Sequence, residues 1–148
     1  MRFSWSRTCV FALVAVGTPV LVASCGAAAS PVQPAEVRNC GTVTVRGPNP
    51  PTDTAAAQAE QCILTAYSMC QPATLTFVTQ GVDASTTITF TIQSGSPCVV
   101  NGVSQFAIVP ATHTTTPFAC ARVTPKDGGV LFVGCGSAGD IFVPPPKP

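Results

Sequence analysis

Charge is what this sequence has least of: Asp, Glu, Lys and Arg together make up 9% of its 148 residues, against roughly 25% in ordinary soluble domains. It has two lysines, one histidine, one tryptophan and one tyrosine. So few cations exclude the electrostatic footprint of nucleic-acid binding, and no polybasic stretch offers itself to anionic lipid. No Cys-x-x-Cys pair is present and His113 is the only histidine, so the two close ligand pairs of a zinc site are missing and no metal is expected. No glycine-rich phosphate loop precedes a lysine, and Cys135-Gly136-Ser137 lacks the second glycine of a nucleophile elbow.

The acidic residues do not pair for general acid–base chemistry either. Asp53 reads as a helix cap, Asp83 and Asp127 as turn residues, Glu60 as a solvent-facing helix residue and Glu36 as part of a tether. Only Asp140, after Gly136-Ser-Ala-Gly139, has no evident structural task. His113 falls in a Thr-rich segment, Pro110 to Pro117, read as a loop. A nucleophile needs a base within reach, and none is evident. The sequence therefore predicts a non-enzymatic protein with no catalytic residue and no cofactor.

What the chain does have begins at its N-terminus. Arg2 and Arg7 precede the apolar run Val10 to Ala23. That run is shorter than the about 20 residues a spanning helix needs, and Gly17 and Pro19 interrupt it. A positive region followed by a short apolar one is the layout of a secretory signal peptide. Without the two arginines, five basic residues remain against six acidic ones. The segment Val22-Ala23-Ser24-Cys25 resembles the lipobox of bacterial lipoproteins, with Val22 where that family prefers Leu. The resemblance covers only the leader. It implies cleavage before Cys25 by signal peptidase II and a diacylglyceryl group, carrying fatty acids such as palmitate, on the Cys25 thiol. Two acyl chains suffice for stable anchoring. The alternative is cleavage after Ala27-Ala28-Ala29, which would yield a secreted protein. The organisation expected is a signal peptide over 1–24, a lipid-anchored Ala/Pro/Ser-rich tether over 25–39, one domain over 40–143 and a Pro-rich tail over 144–148, extended or disordered.

Eight cysteines are present, and six of them, Cys40, Cys62, Cys70, Cys98, Cys120 and Cys135, follow Cys25. An even number in an oxidising compartment reads as up to three disulfides, with 15 possible pairings. Local geometry narrows them. From about Thr54 to Cys70, Ala59, Cys62, Ile63, Ala66, Tyr67 and Cys70 recur at helical spacing, and Pro72 ends the run. Cys62 and Cys70 then lie about 12 Å apart along one helix and cannot bond each other. Around Lys126-Asp127-Gly128-Gly129, an Asp-Gly turn would set Cys120 opposite Cys135. Cys70–Cys98 and Cys40–Cys62 are the preferred remaining pairs.

Strands are expected over Cys40 to Arg46, Thr74 to Gln80, Ser85 to Gln93, Cys98 to Val109 with a bulge at Asn101-Gly102, Phe118 to Pro125 and Val130 to Cys135. Thr87, Thr89 and Thr91 alternate with Ile88, Phe90 and Ile92, and Phe77, Phe106, Phe118, Phe132 and Phe142 complete a candidate core. The fold expected is α+β, one helix packed on a four- to six-stranded antiparallel sheet and stapled by disulfides. Its order is similar to the cystatin architecture, but the Gln-x-Val-x-Gly inhibitory loop of that family is absent and Gln80-Gly81-Val82 misses the spacing.

The function this predicts is a cell-envelope lipoprotein on the extracytoplasmic face of the cell membrane, held there through Cys25 and carrying a non-catalytic interaction domain for a protein or lipid partner. Two alternatives stand beside it. One is a carrier of a lipid or small hydrophobic ligand, with room left at the helix by Ala55, Ala59 and Ala66. The other is a cystatin-like protease inhibitor.

Overall fold

The structure is a computed structural model and describes residues 36–108 and 112–147. In chain order it contains β1 (Arg38–Arg46), α1 (Thr54–Ser68), β2 (Ala73–Gln80), β3 (Ala84–Gln93), β4 (Val99–Ile108), β5 (Thr112–Cys120), β6 (Arg122–Lys126), β7 (Gly129–Val133), a 3-10 turn at Gly136–Ala138 and β8 (Ile141–Val143). β1 begins at Arg38, inside the segment assigned above to the tether.

The helix starts where Asp53 accepts a hydrogen bond from the backbone N–H of Ala55 at 2.8 Å, which satisfies one of the free donors of the first turn. It ends before Pro72. Cys70 takes a left-handed conformation and the N–H of Gln71 reaches back to the carbonyl of Ala66 at 2.9 Å, so the last carbonyls are not left bare. Ala56, Ala59, Glu60, Ile63 and Ala66 form its buried stripe. That stripe is turned from the expected one, and Glu60 lies on it rather than in solvent.

The sheet corrects the antiparallel expectation. Its order is β1-β2-β3-β4-β5, and β1 pairs with β2 in parallel while the other pairs are antiparallel. The helix is the cause: it carries the chain back along β1, so β2 sets out from the same end, as in a βαβ crossover. The bulge also lies elsewhere. β3 and β4 pair without interruption through Asn101 and Gly102, and the irregularity falls in β1 between Asn39 and Thr42. Gly102 has another reason to be glycine. Its directly opposed partner is Phe118, whose ring would lie 2.2 Å from any added Cβ.

A second sheet, β6-β7-β8, was not anticipated. The Asp127-Gly128 turn is as expected, with φ of 47° and 83°, and it pairs Lys126 with Gly129 through to Arg122 with Val133. The apolar run from Phe118 to Pro125 is nevertheless not one strand. The chain breaks at Ala121 and changes sheet, and the segment read as a Pro110–Pro117 loop belongs to β5 from Thr112 on.

The core forms where the helix and the small sheet meet one face of the large sheet. Val43, Leu75, Phe77, Phe90, Ile92 and Val100 lie on that face, beneath Ile63 of the helix and Val130, Phe132 and Val143 of the small sheet. Phe132 stacks on Phe90 with centroids 3.6 Å apart, and Phe118 meets Phe90 edge-on at 6.1 Å. Phe106 and Phe142, expected in the core, are 39% and 37% exposed. Phe106 lies on β4 far from the Phe90–Phe132 stack, and Phe142 is on an edge strand.

Candidate functional site

Three disulfides close the domain: Cys40–Cys62, Cys70–Cys98 and Cys120–Cys135. These are the three pairs expected from the sequence. The first ties β1 to the middle of α1, and the second ties the end of the helix to the approach of β4. The third does more than close a hairpin. The β6–β7 ladder ends at Arg122 and Val133, so Cys120, the last residue of β5, bonds beyond it and joins the large sheet to the small one. Cys120 and Cys135 are both buried. Cys25, the residue assigned to lipidation, lies outside the described residues.

The acidic residues remain apart. Among the described residues no group of three or more His, Cys, Asp or Glu side chains could hold a metal ion. Asp140, which had no task in the sequence reading, accepts a hydrogen bond from the N–H of Gly134 at 2.8 Å and fixes the loop after β7. Lys126 sits over the Phe142 ring at 5.9 Å. Residue 113 occupies β5 rather than a loop.

Glu60 is the residue that sequence reasoning missed. It is 4% exposed, and its Oε1 has no hydrogen-bond partner among the described residues. A charge cannot be kept cheaply in such a place, and desolvation pushes the carboxyl up from 4.5 to about 7. The available signal was its spacing: Glu60 is four residues after Ala56 and three before Ile63, on the same face as both. Perturbed acids often mark functional sites, but this one lines neither of the open clefts described next.

One cleft, of about 680 Å³, lies beside β1 and the start of α1, bordered by Thr42, Thr44, Arg46, Asn49, Asp53 and Gln80 among others. A smaller one, about 340 Å³, opens at the β2–β3 turn beside Arg46 and Val82. Both are shallow surface features, and the one carboxylate that lines them, Asp53, is engaged in capping α1. Ala59 brings α1 close to β1, its Cβ lying 3.8 Å from a Cβ placed on Gly41, and Ala56, Ala59 and Ala66 are all buried.

The C-terminal residues pack onto the domain. The N–H of Lys147 donates to the carbonyl of Pro51 at 2.7 Å, and Pro145 lies against Gly128 and Gly129. No helix among the described residues is long and apolar enough to cross a membrane. No family model, no curated protein and no solved structure matches the chain.

Proposed function

We propose that this chain is a lipid-anchored envelope protein whose folded part works outside the cytosol as a non-catalytic interaction domain. The observation that carries the reading is the pairing of all six cysteines downstream of Cys25 into three disulfides. Such bridges form and persist in oxidising compartments, whereas cytosolic thiols are kept reduced. The signal-peptide layout and the lipobox at Val22 to Cys25 supply the route out and the anchor. The one carboxylate lining the two clefts, Asp53, is engaged as the cap of α1, which favours a surface that binds over one that reacts.

Metabolic labelling with a fatty acid tests the anchor. Cells producing the protein should incorporate labelled palmitate into it, and Cys25→Ala should abolish the label. A wild-type protein that takes up no label would overturn the anchored form.

A further inference from the structure

Among the described residues the two sheets present four outer strands, β1, β5, β6 and β8. An outer strand exposes unpaired backbone N–H and C=O groups, and natural domains blunt it with charge, proline, irregular register or short length. Three of the four are blunted. β1 carries Arg38 and Arg46 and an irregular register. β6 is five residues long and contains Arg122, Pro125 and Lys126. β8 has three residues.

β5 is different. It is nine residues long, Thr112–Cys120, without an Asp, Glu, Lys or Arg, and its one blunting residue, Pro117, leaves the five residues Thr112–Thr116 before it without one. Thr114, Thr115, Thr116 and Pro117 are all exposed, although alternate residues of a strand point to opposite faces. Neither face of that stretch is covered by the described residues. Its neighbour β4 is also free of charge and holds Phe106 and Ile108, 39% and 42% exposed, opposite Thr114 and Thr112. An open hydrogen-bonding edge and uncovered apolar side chains thus coincide at one end of the sheet.

We propose that this edge is completed by β5 of a second copy of the chain, joining two five-stranded sheets into one of ten strands. The occupant follows from the chemistry of the edge. Free N–H and C=O groups in extended register accept another strand. Pro117 has no N–H to offer, which confines pairing to Thr112–Thr116. A two-fold axis at the midpoint, Thr114, pairs the segment with itself antiparallel, residue 112 against 116 and 113 against 115. Such self-pairing brings like charges together on most strands, but β4 and β5 hold no Asp, Glu, Lys or Arg, and this register sets residue 113, the one histidine, opposite Thr115 rather than opposite its own counterpart. Threonines facing each other across the new ladder are a favourable strand pair, and Phe106 of each copy flanks them on the same face. The proposal does not depend on the lipid anchor.

The test uses the protein isolated from producing cells with its disulfides intact. Thr114→Cys places one thiol on the proposed axis, so mild oxidation should give a symmetric cross-link and a band at twice the chain mass. Thr54→Cys, exposed on the helix, should give none. Sedimentation equilibrium in density-matched detergent, over about 1 to 100 μM, should show a dimer that Thr115→Lys weakens by about tenfold or more and Thr115→Val preserves. A monomer throughout that range overturns the proposal, as does a dimer equally tight in Thr115→Lys or a Thr114→Cys protein that cross-links no better than the helix control. If Thr115→Lys fails to fold, the Thr114→Cys cross-link decides alone.

Discussion

The large sheet uses strands of eight to ten residues and places no charged side chain on β2 through β5, whereas the small sheet uses strands of five, five and three residues and carries Arg122 and Lys126. The difference shows how a charge-poor, Thr-rich chain makes a core. Long strands with alternating Ile, Phe and Thr supply a broad apolar face, but a sheet face needs a cover. The helix covers one part. The small sheet covers another, and three such short strands are marginal on their own. Its attachment is the Phe132–Phe90 stack and the Cys120–Cys135 bridge.

Removing the stack breaks this arrangement most severely. Phe132→Ala should cost about 3–5 kcal/mol in urea denaturation. A loss below about 1 kcal/mol would mean the small sheet is seated by something else. Replacing Cys120 and Cys135 together by Ala opens a loop with a sequence separation of 15, which should cost about 3 kcal/mol. Hydrogen exchange should then speed first in β6–β8, with β2–β4 still protected. Uniform loss of protection would contradict the division into base and cover.

Glu60 sharpens the comparison at the helix, because it tests how dry the cover is. Its pKa in the folded state, about 7, lies above the ordinary 4.5, so the native chain holds a proton that the unfolded chain releases. The stability this carboxyl contributes is fully present below pH 4.5 and is lost as pH rises through 7. Glu60→Gln should leave stability nearly unchanged at pH 4 and raise it by up to about 3 kcal/mol at pH 8. A gain independent of pH would show that the carboxyl is not titrating in place. Gly102→Ala, which sets a methyl against the Phe118 ring, should cost about 1–3 kcal/mol by thermal melting. A neutral effect would show that the ring is free to move aside.

Where local chemistry decides structure, the sequence was legible. Asp53 before an apolar run gave the cap, and Asp127-Gly128 gave a turn and thereby the register of β6 and β7. Those two features set Cys120 towards Cys135 and forbid Cys62–Cys70, but they left two ways to pair Cys40, Cys62, Cys70 and Cys98, and the fold chooses the preferred one. Strand direction was not legible. The alternation in Cys40 to Arg46 is the same in a parallel or an antiparallel neighbour, and only the return path of α1 distinguishes them. The break at Ala121 was hidden for a similar reason: Phe118 and Val123 are both core residues, but of different sheets. Glu60 was misplaced because the apolar stripe in the sequence runs through Cys62, Tyr67 and Cys70 as well as Ala59, Ile63 and Ala66, while the buried stripe is turned towards Ala56 and Glu60. Asp140 acquires its role only once the chain turns back after Cys135, a long-range consequence that no local pattern announces.

Everything proposed about where this protein works depends on the six cysteines after Cys25 being joined in pairs in the cell. Peptide mapping of protein taken from its producing cells, alkylated before any reduction, addresses that directly. The account predicts three linked peptide pairs, 40 with 62, 70 with 98 and 120 with 135, and no alkylated cysteine among them. Six alkylated thiols in protein recovered from the cytoplasm would contradict it.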